Sequence, residues 1–157
     1  MNADDQKFLR LAIEVARRAR QHGNHPFGAV LVDDQGQVLL EAENTVVTSQ
    51  DCTGHAETNL IRQASAQILP EVLARASLYT STEPCAMCSG AIFWGNVRRV
   101  VYGLSEAGLS ELAGEAPGTG QLNLPCREVF QHGGHPVEVV GPLLEVEARE
   151  VHEGFWK

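Results

Sequence analysis

The chain has 157 residues and is acidic, with 20 Asp and Glu against 12 Lys and Arg and a net charge of -8. That balance argues against docking on nucleic acid, where clustered cations must replace counterions along the phosphate backbone. A composition 43% hydrophobic and 20% charged excludes a disordered or collagenous chain, and four cysteines, Cys52, Cys85, Cys88 and Cys126, are too few and too uneven for a secreted disulfide scaffold.

The length fits one domain over residues 1–157. Residues 5–21 place Phe8, Leu11, Ala12, Val15, Ala16 and Ala19 on one stripe, the period of an amphipathic helix, and Gly23 ends it. The runs Gly28-Ala-Val-Leu-Val32 and Gln37-Val-Leu-Leu-Glu41, parted by Asp33-Asp-Gln-Gly36, predict a hairpin. Residues 53–69 read as a loop entering a helix with Leu60, Ile61, Ala64 and Ile68 on its apolar side. A third strand is expected at 77–81, a helix at 85–94, strands at 98–102 and 137–140, and a last helix over 143–156. Residues 105–124, with Gly108, Gly114, Pro117, Gly118 and Gly120, read as a mobile loop bordering a site. This order predicts an α/β sandwich with a five-stranded mixed sheet. No run of about 18 apolar residues occurs, and the acidic N-terminus lacks the basic and apolar stretches of a leader. The expectation is a cytoplasmic protein with no membrane partner.

Chemistry concentrates in two clusters, each at the start of a predicted helix. Cys85-x-x-Cys88 alone suits a thioredoxin-like redox pair. The second cluster, Thr53-Gly-His55-Ala-Glu57, moves the reading to zinc, because a redox pair has no use for a His and a Glu there. Two zinc sites then compete. With Cys52 as fourth ligand, Cys52-x-x-His55 and Cys85-x-x-Cys88 make a closed structural Cys3His knot, the site of a non-catalytic binding module. With His55, Cys85 and Cys88 alone, one zinc ion per chain keeps a position for water. Glu57 favours the second, since a carboxylate beside the metal can shuttle a proton and a structural knot leaves it without a role.

His55-Ala-Glu57 and Pro84-Cys85-Ala-Met-Cys88 resemble the signature of the cytidine and deoxycytidylate deaminase-like zinc enzymes. The resemblance extends through His25-Pro-Phe-Gly-Ala-Val30, Asn44, Leu78-Tyr-Thr80, Ser89-Gly-Ala-Ile92 and Arg98-Arg-Val-Val-Tyr-Gly103, covering roughly residues 5–105. It implies a three-layer α/β/α sandwich and a zinc-dependent hydrolase of C–N bonds in cyclic amidines, with Glu57 as catalytic proton shuttle. It also implies that Phe27, Asn44, Ala56 and Trp94 contact the substrate. Phe27 would stack on a base, Asn44 would bind its polar edge, and Trp94 would wall the pocket or lie in a subunit contact.

The expected partner is a small nucleobase or nucleoside. Pro26-Phe-Gly-Ala-Val30, Asn44-Thr-Val-Val-Thr-Ser49 and Ala91-Ile-Phe-Trp94 look most like the bacterial guanine deaminase branch, which places a guanine-like purine ahead of cytosine or cytidine. That branch reads the base with a loop carboxylate, here Glu115 ahead of Glu111, and an aromatic lid would fall at Phe155 or Trp156. Family members of this look pair around the cysteine-bearing helix, so a homodimer is expected.

Overall fold

The computed structural model describes residues 3–114 and 121–156. Five strands form one mixed sheet in the order β2-β1-β3-β4-β5, with β1 at Gly28–Val32, β2 at Val38–Glu43, β3 at Ser77–Thr82, β4 at Arg99–Leu104 and β5 at Glu138–Val140. The first hairpin pairs β1 with β2 antiparallel, β1 also pairs antiparallel with β3, and β3, β4 and β5 run parallel. The sequence order fits this sandwich, because parallel neighbours need helical crossovers that cover the sheet faces.

Helices cover both faces. On one side α1 (Ala3–Gln21) and α8 (Glu145–Glu150) pack Phe8, Leu9, Ala12, Ile13 and Ala148 against Val30, Tyr79 and Val101. On the other, α3 (Ala56–Gln67), α5 (Ala86–Trp94) and α7 (Cys126–Gln131) pack Leu60, Ala64, Ile92 and Phe130 against Leu31, Leu78 and Val100. The split follows strand alternation, since successive side chains of β3 point to opposite faces. Tyr79 therefore joins the α1 side, while Leu78 and, two and four residues on, Thr80 and Thr82 face the α3 side. At Gly28 the backbones of β1 and α1 touch, and a Cβ there would fall inside 3.0 Å of Ala16 N and Ala12 O. A buried ion pair closes the α1 face: Asp5 accepts from both Nη atoms of Arg99 at 2.8 Å and from the Tyr79 hydroxyl at 2.8 Å.

Two elements depart from the sequence reading. The Gly-rich stretch begins with a helix, α6 (Glu106–Ala113), because the Ser105 side chain caps it by accepting from Gly108 N at 3.0 Å. The last helix is much shorter than 143–156. It ends at Glu150, and the chain turns through Gly154, whose φ of 70 lies in the left-handed region open to glycine. Short helices also form at α2 (Val46–Ser49) and α4 (Pro70–Leu73), too brief to show a helical period. No helix of the described residues is long and apolar enough to cross a membrane.

Candidate active site

Both motif clusters sit at helix N-termini that meet on the α3 side of the sheet. His55 is the N-cap of α3 and Cys85 the N-cap of α5, each in extended backbone geometry. The free N–H groups of the two first turns put partial positive charge beside the sulfurs, which favours thiolates. His55 Nδ1 lies 3.5 Å from Cys85 Sγ and 3.6 Å from Cys88 Sγ, and all three atoms fall within 4.8 Å of one another. A tetrahedral centre with metal–sulfur bonds of about 2.3 Å and a metal–nitrogen bond of about 2.0–2.1 Å separates N from S by about 3.6 Å. The three residues therefore fit zinc. Cys52 is exposed and outside this group, so the Cys3His knot is not formed among the described residues. Three ligands leave zinc a position for water.

Electrostatics match a ligand set. The hydrogen bond from the Cys88 thiol, with help from His55, draws Cys85 down to about 4, while sharing that proton and burial push Cys88 up. The pair thus carries one negative charge readily. Thr58 Oγ1 lies 3.1 Å from Cys88 Sγ and supports it from behind. Glu57, at the second position of α3, is 6% exposed. Burial, and then the Cys85 charge, raise its pKa to about 7, and its own backbone N–H and the neighbouring His55 partly offset this. A carboxyl poised there can both take and return a proton near neutrality.

A cavity of about 100 Å³ opens beside these groups. His55, Glu57 and Cys85 form its chemical end, and His25, Phe27, Asn44, Thr82, Glu83 and Leu109 form the remaining wall. A larger groove of about 540 Å³ beside α7 and β5 shares no residue with it and holds no metal-ligand set. Asn44 is buried, its backbone N–H donating to Phe27 O at 3.1 Å and its Oδ1 accepting from Val46 N at 3.0 Å. That leaves the amide NH2 as the group Asn44 can offer a ligand. Asn59 ties this loop to α3 through Glu43 O, Thr45 Oγ1 and Gly54 O, which keeps Asn44 beside His55.

The sequence candidates fall unevenly around the cavity. Phe27 and Asn44 line it. The Ala56 side chain is fully buried, so only its N–H, at the open first turn of α3, has chemistry to offer. Trp94 does not wall the cavity. It ends α5 with 84% of its surface exposed, because it lies nine residues and more than two turns from the Cys85 end of that helix. Glu111 points away, paired with Arg149 at 3.5 Å, and Glu115 lies outside the described residues.

Four contributors escaped the sequence reading, the first being His25, which lines the cavity from the loop before β1. Glu83 Oε1 accepts from Glu106 N and its Oε2 from Cys126 N, both at 3.0 Å, so one carboxylate pins both ends of the excursion between β4 and α7. Leu109 reaches the wall from α6, and Thr82 from the end of β3. A period-2 reading of residues 77–82 puts Thr82 on the Leu78 face, but nothing local marks that face as a site.

A family model for the cytidine and deoxycytidylate deaminase zinc-binding region matches residues 2–104. The chain belongs to the cytidine and deoxycytidylate deaminase family. Over 159 aligned residues the deaminase is 43% identical to a probable cytosine deaminase of Schizosaccharomyces pombe, covering 99% of this chain and 94% of the relative. It is 40% identical over 107 residues to a guanine deaminase of Bacillus subtilis, 68% of each chain. The solved structure of the Bacillus subtilis guanine deaminase superposes with a TM-score of 0.61 at 30% identity, covering 99% of this chain and 96% of the other. A structure from work on tRNA:A34 deaminases gives a TM-score of 0.71 at 32% identity, covering 93% and 99%. The deaminase is accordingly a zinc-dependent hydrolase of C–N bonds.

Proposed function

We propose that this deaminase removes the exocyclic amine of a free nucleobase and releases ammonia, with a cytosine-type ring as first substrate. The observation that carries the reading is the small cavity walled by His25 and Phe27. Phe155 and Trp156 fold back onto His25 at 5.8 and 5.6 Å between ring centres, and His25 and Phe27 form the wall of a space of only about 100 Å³. Such a space suits one planar heterocycle better than a nucleotide within a polymer, and the net charge of -8 argues the same way.

One observation supports cytosine ahead of guanine, reversing the order expected from sequence. The likeness to the probable cytosine deaminase covers 99% of this chain at 43% identity, whereas the likeness in sequence to the guanine deaminase covers 68% at 40%, and its solved structure covers 99% at only 30%. Guanine stays as the second reading on the strength of the 40% identity.

Zinc bound by His55, Cys85 and Cys88 supplies Lewis acidity and a hydrolytic water at neutral pH. Glu57 would carry one proton of the attacking water to the adjacent ring nitrogen and the second, from the resulting hydroxyl, to the departing amine, so ammonia leaves and a carbonyl remains. Asn44 NH2 donates to a carbonyl oxygen or ring nitrogen of the base, and Phe27 holds the ring face. We assign the assembly as a homodimer supported by the exposed Met87 and Trp94 on α5, and sedimentation showing only a 17.0 kDa species would sink that assignment.

Ammonia release from cytosine, cytidine, guanine, guanosine and adenine tests the substrate. Cytosine should lead. A preference for cytidine or guanosine would remove the free-base reading, and a preference for guanine would exchange first and second place.

A further inference from the structure

The turn after α8 closes on the cavity through a hydrogen bond that the chemistry above leaves unused. Trp156 Nε1 donates to His152 Nδ1 at 2.9 Å. An indole N–H can only donate, so Nδ1 is the acceptor and the neutral imidazole carries its proton on Nε2. Among the described residues that Nε2 has no hydrogen-bond partner, and the side chain is 2% exposed. His152 meets Phe27 edge-on at 5.4 Å between ring centres, and Trp156 lies 5.6 Å from His25 and 6.2 Å from Phe27. Arg20 holds the same turn by donating to Val151 O at 2.9 Å and lying 5.4 Å from the Phe155 ring centre.

We propose that His152 is a positioning residue, a latch whose Nδ1 holds Trp156 against the cavity wall and so sets how tightly the site retains a planar base. The latch rests on the free-base reading of the cavity. Burial, and then the positive charges of Arg20 and Arg149, lower the pKa of His152 to about 4, which keeps Nδ1 available as an acceptor at neutral pH. Its reversibility is built in. A buried donor without an acceptor is unfavourable, and opening the tail gives Nε2–H a water partner, so part of the cost of breaking the Trp156 bond is returned. A tail held this way can close over substrate and still release product.

The test uses a W94F background, which leaves Trp156 as the only tryptophan. H152L should shift Trp156 emission to the red. It should also raise KM for the best base about two- to ten-fold, the weight of one hydrogen bond, with kcat held or increased. H152N, whose Oδ1 can take the place of Nδ1, should restore both readings. Unchanged emission and KM in H152L would overturn the latch, as would equal damage to kcat and thermal stability in H152L and H152N. Should H152L not fold, W156F breaks the same bond from the other end, with a raised KM expected and an unchanged KM overturning the proposal. If no base in the panel releases ammonia, the free-base reading fails, and Trp156 emission in H152L against H152N still decides the latch.

Discussion

Replacing Glu83 with Gln tests whether one carboxylate holds the roof of the site in place. Both oxygens of Glu83 accept, one from Glu106 N at the start of α6 and one from Cys126 N at the start of α7. A Gln side chain can keep one of these bonds, but its NH2 must face the other backbone N–H. One charge-assisted bond is lost, worth about 1.5–3 kcal/mol, and a part-buried donor is left without a partner. In a chain of 157 residues, about 2 kcal/mol corresponds to a Tm drop of roughly 4–8 °C. The loss has a catalytic side, since α6 carries Leu109 into the cavity wall. E83Q should therefore raise KM more than it lowers kcat while zinc content stays at one per chain. The assays are a thermal melt, metal analysis and ammonia-release kinetics on the same preparation. A Tm within about 1 °C of the parent together with an unchanged KM would refute the clamp.

Glu57→Gln should keep zinc and fold but abolish turnover by at least about 10²-fold, the usual weight of a positioned acid–base group, and near-normal ammonia release would remove Glu57 from the mechanism. Cys52→Ala should leave zinc stoichiometry and Tm unchanged, whereas Cys85→Ala or Cys88→Ala should lose metal; equal behaviour of all three would restore the closed knot. His152 gives a pH signature, because its pKa falls from 6.5 to about 4 on folding. Between those values the unfolded chain binds a proton that the folded chain does not. Stability is therefore full above pH 6.5 and is lost as pH falls toward 4, by about 2 kcal/mol at pH 5. Urea melts at pH 7.5 and pH 5 should show a smaller drop for H152N than for the native chain, and identical drops would contradict the assignment.

The local order of this protein was legible in its sequence. Apolar period 3.6 along residues 5–21 and short β-type runs at 28–32 and 77–81 arise from interactions within a few residues, so a short window contains them. The ligand set was legible for a related reason: His55 and Cys85 are the N-cap residues of two helices, Cys88 sits in the first turn of the second, and position, residue type and spacing are local properties. Tertiary structure alone decided the rest. Glu83 looked like a bystander in a Glu-Pro-Cys run because its partners lie 23 and 43 residues downstream. Trp94, nine residues beyond Cys85, was carried by the helix axis to the far end and into solvent. The tail read as a continuous helix because Leu143, Val146 and Val151 keep a helical period, yet the chain turns at Gly154 to lay Trp156 on His152 and the rings of His25 and Phe27. The contacts with His25 and Phe27 join residues more than 120 positions apart, and a local pattern cannot weigh helix propensity against burial on a surface that exists only after the sheet has assembled.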